Sequence, residues 1–224
     1  MPAPTIVFDL DGTLVDTAPD LIDTLNLILD AHGMPAIAFD DARAMIGAGV
    51  KPLLQRALAS KGLQFAPDEI DRLYDEYLAV YAAHIADRSQ PFPGMEAALD
   101  ALAADGCILA VCTNKLEWLS VRLLDKLGLS PRFAAICGQD TFAMRKPDPE
   151  MLRLTIAKAG GDVARAVMVG DSMTDVATAR AARIPVIAVD FGYTEIPPSE
   201  LGADRLIGHF DALMAAIKGL LAAR

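Results

Sequence analysis

Cysteine, histidine and tryptophan are scarce in this chain: three, three and one among 224 residues. An odd number of cysteines cannot all pair internally, and Cys107, Cys112 and Cys137 sit in apolar stretches such as "CILAVC" and "AAIC". Buried free thiols are expected, and neither a disulfide scaffold nor a Cys-x-x-Cys zinc site fits. His32, His84 and His209 show no ligand spacing. Basic residues are short too: 20 Lys and Arg against 30 Asp and Glu leave a net charge of −10. Nonspecific binding to nucleic acid or anionic membrane is therefore disfavoured. No apolar run approaches the ~18 residues of a membrane span. The opening "MPAPTIVFDL" lacks the basic region and long apolar core of a signal peptide. A cytoplasmic protein, monomer or homodimer, is expected.

What is present is apolar and periodic. Hydrophobic residues make up 53% of the chain, ample for a sizeable core. Short β-branched runs, "TIVFDL", "CILAVCT", "AAICG", "RAVMVGD", "PVIAVD" and "DRLI", read as strands. Helical patterns such as "GMEAALDALAADG", "DPEMLRLTIAKAGG" and the terminal "DALMAAIKGLLAAR" separate them. Alternation of this kind predicts an α/β fold, a Rossmann-like parallel sheet covered on both faces. Residues 16–87 break the rhythm with helical patterns alone, so a helical cap is expected there, inserted into a core of residues 1–15 and 88–224. Trp118, Tyr74, Tyr77 and Tyr81 are expected in the core, as are Met168 and Met173. Asp16 is expected to cap the first helix.

The acids are placed unevenly. "FDLDGTLVD" puts Asp9 and Asp11 at the end of a strand, where an uncompensated carboxylate is costly. In a parallel sheet, ligands gather beyond the carboxyl ends of the strands. Other strand ends bring Thr113, Asn114 and Lys115, then Lys146, then Asp171 with Asp175 four residues on. Four carboxylates with two lysines, a hydroxyl and an amide call for a divalent cation. A donor set of oxygens alone favours Mg²⁺. Mg²⁺ beside lysine and a hydroxyl suits a phosphate group.

"DLDGTLVD", "VCTNK", "KPDP" and "VGDSMTD", in that order, resemble the four motifs of haloacid dehalogenase-superfamily phosphatases. The helical insertion resembles that family's first class (C1) of cap. The resemblance implies Asp9 as nucleophile, Asp11 as general acid and base, and Lys146 as the charge-neutralising cation. It implies Thr113 and Asn114 as phosphoryl ligands. Mg²⁺ would be held by Asp9, Asp171 and the main-chain carbonyl of Asp11, with Thr13 and Asp175 in support. "PFPGMEAAL", "TNK", "KPDP" and "DFGYTE" look most like the phosphoglycolate phosphatases of that family, although Gln139 and Met144 depart from the pattern. Within the family, a dehalogenase would lack Asp11. A sugar-phosphate or pyrophosphate phosphatase, a β-phosphoglucomutase-like transferase and a non-catalytic binding protein are the alternatives. From the cap, Arg56 or Lys51 is expected to meet a substrate carboxylate, beside Gly47 and Gly49.

Overall fold

The computed structural model describes residues 2–222. In chain order the elements are β1 (Thr5–Phe8), β2 (Val15–Asp16), α1 (Ala18–Ala31), α2 (Phe39–Arg43), α3 (Val50–Ser60), α4 (Pro67–Ala83), β3 (Gln90–Pro91), α5 (Met95–Ala104), β4 (Ile108–Cys112) and α6 (Glu117–Lys126). Then follow β5 (Ala135–Cys137), α7 (Pro149–Lys158), β6 (Ala166–Gly170), α8 (Met173–Ala182), β7 (Val186–Val189), β8 (Arg205–Ile207) and α9 (Leu213–Ala222).

Six strands form one parallel sheet in the order β5-β4-β1-β6-β7-β8. Side chains alternate between its faces. Ile6, Phe8, Leu109, Val111, Val167 and Val169 pack on one side, with α5, α6 and α9. Val7, Ala110, Cys112 and Met168 pack on the other, against Met151 and Ile156 of α7 and Val176 of α8. Both faces are thus covered, as the continuous apolar runs require. The chain leaves β1 for β4 and β5 on one side, then returns to build β6, β7 and β8 on the other. The reversal sets the ends of β1 and β6 side by side at a switch point, where this architecture leaves a crevice.

Between β2 and β3 the described chain is helical. Leu21, Leu25, Ile28 and Leu29 of α1 are buried, as are Leu54 and Leu58 of α3. Tyr77 of α4 is fully buried, and its hydroxyl donates to Leu21 O at 2.8 Å, tying α4 to α1. Pro67 opens α4, where its missing N–H costs nothing, and Glu69 accepts from Ala66 N at 2.8 Å. β2 and β3 pair antiparallel, Val15 opposite Pro91 and Asp16 opposite Gln90, and join this helical segment to the sheet. No helix among the described residues is long and apolar enough to cross a membrane.

Four sequence expectations need correction. Asp16 does not cap α1: Thr17 occupies the N-cap, and the Asp16 carboxylate instead accepts from the Tyr193 hydroxyl. Trp118 and Met173 are 46% and 48% exposed, on the outward faces of the first turns of α6 and α8. Cys107 is only half-buried, unlike Cys112 and Cys137. Ala223 and Arg224, at the end of the expected terminal helix, lie outside the described residues.

Candidate active site

Asp9 follows β1 directly, and its N–H donates to Val169 O of β6 at 2.9 Å, so β1 and β6 deliver Asp9 and Asp171 to one place. The turn after Asp9 needs Gly12, whose φ is +82°. A Cβ on that residue would lie 2.3 Å from Asp171 Oδ2, so the glycine also makes room for the carboxylate. Asp171 is held at both oxygens: Thr13 Oγ1 donates to Oδ1 at 2.9 Å and Tyr193 N to Oδ2 at 2.6 Å.

Ser172 is the N-cap of α8, and Asp175 at its third position completes a capping box. Asp175 Oδ2 accepts from Ser172 Oγ at 2.7 Å and from its N–H at 3.1 Å. Its Oδ1 takes the Lys146 ammonium at 2.6 Å, and the same Nζ stands 2.9 Å from Asp9 Oδ1. The main chain of Lys146 is fixed in turn by Asn114, whose Nδ2 donates to Lys146 O at 3.2 Å. Thr113 Oγ1 accepts from Lys115 N at 3.2 Å, and its hydroxyl hydrogen is left for another partner. Leu116, two residues beyond Asn114, is the N-cap of α6, so Thr113 and Asn114 are not consumed in capping.

Asp11 stands apart from the Lys146 network. Its Oδ1 accepts from Thr17 Oγ1 at 2.8 Å, and Lys115 Nζ reaches both its oxygens, at 2.9 and 3.1 Å. Lys115 is buried and lies 4.6 Å from the centre of the Tyr81 ring. Asp9, Asp11, Thr113 and Lys115 line one cavity with Gly49 and Tyr81. Its free volume is about 40 Å³, room for a few water-sized groups. Arg56 is elsewhere: its guanidinium pairs with Glu195 at 2.7 Å and lines a separate crevice with Ser172 and Thr194. Lys51 pairs with Asp71 at 2.6 Å.

Burial pushes the Asp9 carboxyl up to about 6; Lys146 pulls the other way, and the neighbouring Asp175 and Asp11 add to the rise. Asp171 is raised well above the carboxylate range by burial, then by Asp175 and Asp9. Burial alone would lower Lys146, but Asp175 and Asp9 outweigh it and keep the ammonium charged. Four carboxylates against two ammonium groups leave an excess of negative charge that one divalent cation would cancel. Oxygens of Asp9 and Asp171 lie within 4.8 Å of each other and of one from Asp175, all buried, so this acidic cluster could hold a small, hard divalent cation.

Two contributions were not legible in the sequence. Lys115 stands among the lysines at the strand ends, but nothing local says that it faces Asp11. Tyr193 lies 22 residues beyond Asp171, in "DFGYTE", and only the fold brings its N–H to that carboxylate.

The profile of haloacid dehalogenase-like hydrolases matches residues 6–189. A phosphoglycolate phosphatase of Mesorhizobium japonicum is 50% identical over 213 residues, covering 95% of this chain and 94% of its own length. One from Agrobacterium fabrum is 47% identical over 215 residues, covering 96% and 92%. The crystal structure of a predicted phosphoglycolate phosphatase from Haemophilus somnus superposes with a TM-score of 0.89 at 28% identity, over 96% of this chain and 97% of that one.

Proposed function

This chain belongs to the haloacid dehalogenase-like hydrolases and is a phosphoric monoester hydrolase, and from that premise we propose that it cleaves 2-phosphoglycolate through a phosphorylated Asp9. The observation that carries the reading is Asp9 itself, buried at the switch point and lining the cavity, with Lys146 at 2.9 Å and Asp171 across from it.

An Asp9 carboxylate oxygen attacks phosphorus and the bond to the ester oxygen breaks. Asp11, entering the substrate complex in its protonated form, gives that proton to the leaving oxygen, producing glycolate and the aspartyl-phosphate. Asp11, now ionised, takes a proton from a water whose oxygen attacks the same phosphorus. The Asp9–phosphoryl bond breaks, inorganic phosphate leaves, and both aspartates are restored. Lys146 balances the phosphoryl charge while Asp175 keeps the ammonium in place. The Thr113 hydroxyl and the second N–H of the Asn114 amide donate to phosphoryl oxygens. Mg²⁺, when bound by Asp9, Asp171 and the Asp11 carbonyl, supplies positive charge to those oxygens. Asp175 stays outside that set because its Oδ1 already carries the Lys146 ammonium, which it holds beside Asp9. Residues 16–87 act as a cap over the core formed by 1–15 and 88–224.

The test is phosphate release from a panel of small esters that includes 2-phosphoglycolate, with Mg²⁺ or with EDTA, by the wild type and Asp9→Asn. Preference for 2-phosphoglycolate, with release stopped by EDTA and by the substitution, is the expected result. Release by Asp9→Asn at the wild-type rate would remove the nucleophile assignment, and preference for another ester would remove the substrate.

A further inference from the structure

We propose that Lys115 and Tyr81 form the binding site for the carboxylate of the substrate, an inference that rests on the carboxylated ester proposed above. The cations expected to meet that group are spoken for: Arg56 pairs with Glu195 outside the cavity, and Lys51 with Asp71. Lys115 instead projects into the cavity that holds Asp9 and Asp11. An ammonium has three N–H donors, and the contacts at 2.9 and 3.1 Å direct it to a single carboxylate, that of Asp11. An arriving carboxylate can therefore share it.

The second observation is independent. Tyr81 is fully buried, lines the same cavity, and its hydroxyl has no hydrogen-bond partner among the described residues. A buried hydroxyl without a partner is unfavourable unless a ligand supplies one. Burial, with Asp11 and Asp20 nearby, keeps this hydroxyl protonated, so it enters a complex as a donor. Asn114 Oδ1 and Gln139 Oε1 are also unpartnered in this cavity, but both are acceptors and cannot serve an anion.

One cation and one neutral donor match a group with a single negative charge and two oxygens. Beyond Tyr74 and the acceptors of Asn114 and Gln139, the rest of the wall is largely apolar, including Leu21, Leu53, Leu78 and Leu119, and a free volume of about 40 Å³ leaves little room for a sugar. The phosphoryl group is served separately by Lys146, Thr113 and the cation held at Asp9 and Asp171. The geometry therefore selects a short phosphate ester whose alcohol part ends in a carboxylate.

The test compares 2-phosphoglycolate with ethyl phosphate, which carries a methyl group in place of the carboxylate. The quantity read is the ratio of kcat/KM for the two esters in the wild type, Tyr81→Phe and Lys115→Met. Because both esters meet the same preparation, the fraction of folded enzyme cancels. The wild type should favour 2-phosphoglycolate strongly. Tyr81→Phe should lower the ratio about tenfold and Lys115→Met about a hundredfold, the scale of a neutral and a charged hydrogen bond. A strong wild-type preference that both variants retain in full would overturn the carboxylate site while leaving the substrate intact. A wild-type ratio near one would overturn the substrate reading, and this inference with it.

Discussion

At the scale of single residues, Asp9 and Lys146 depend on each other. Both are almost fully buried, and a buried charge is tolerable only beside its counter-charge. Lys146→Met would leave Asp9 and Asp175 facing each other with no cation between them. In EDTA, urea unfolding of that variant should show a loss of about 3–5 kcal/mol, the usual result of removing one partner from a buried pair. A loss below about 1 kcal/mol would mean that the two carboxylates relax into water once the ammonium is gone. Asp9→Asn differs, because the amide keeps the shape and removes a charge that burial already opposes. That variant should fold at least as stably as the wild type while its kcat falls by about four orders of magnitude or more, read by phosphate release.

At the scale of elements, the turn that follows β1 does two jobs with one glycine. Gly12 and Gly33 both have positive φ, +82° and +67°, yet a Cβ on Gly12 would strike Asp171 and one on Gly33 would meet nothing within 4 Å. Alanine at either position carries the same backbone strain, about 1 kcal/mol. Only Gly12→Ala must also displace a proposed ligand of the cation. Its activity should fall about a hundredfold or more, while Gly33→Ala keeps wild-type kcat/KM and loses only stability by thermal melting. Equal activity in the two would separate the turn from the chemistry. These elements also mark how far the sequence could be read. Five of the six sheet strands were legible because burial on both faces writes continuous apolar runs, while the exposed edge strand β8 left only a faint one; helix starts such as Pro67 and Ser172 were legible because caps are chemically distinctive. The β2–β3 pair was not, since two residues per strand carry no periodicity and their pairing spans seventy-odd positions. Asp16 was misplaced for the same reason: its partner, Tyr193, is distant in sequence, and a local cap was the only role visible nearby. Trp118 and Met173 sit in first turns, where an apolar residue can point outward as readily as inward.

At the scale of the whole molecule, the excess of acid has a local counterpart. A count of residues gives −10, but only the fold shows that part of this charge is gathered at one crevice, with Asp9, Asp11, Asp171 and Asp175 around Lys115 and Lys146. A proton and the proposed divalent cation would compete for the same oxygens there. Asp9 ionises near 3.8 in an unfolded chain and near 6 when buried in the metal-free fold. The folded state thus binds this proton more tightly than the unfolded state. The stability it confers is complete below about 3.8 and is lost as the pH rises through about 6. Asp171 shifts in the same direction. Metal-free protein should therefore melt at a progressively lower temperature across that window, with a loss from Asp9 on the order of 3 kcal/mol. Mg²⁺ should reverse the trend where protons have left. Scanning calorimetry in EDTA and in excess MgCl₂ should show a large rise in Tm at about pH 7.5 and a small one at about pH 5, where protonation of Asp9 weakens the apparent affinity about tenfold. A rise of equal size at both pH values would mean that the cation binds away from Asp9 and Asp171. No rise at either would mean that these carboxylates, close as they are, are balanced by the two lysines alone.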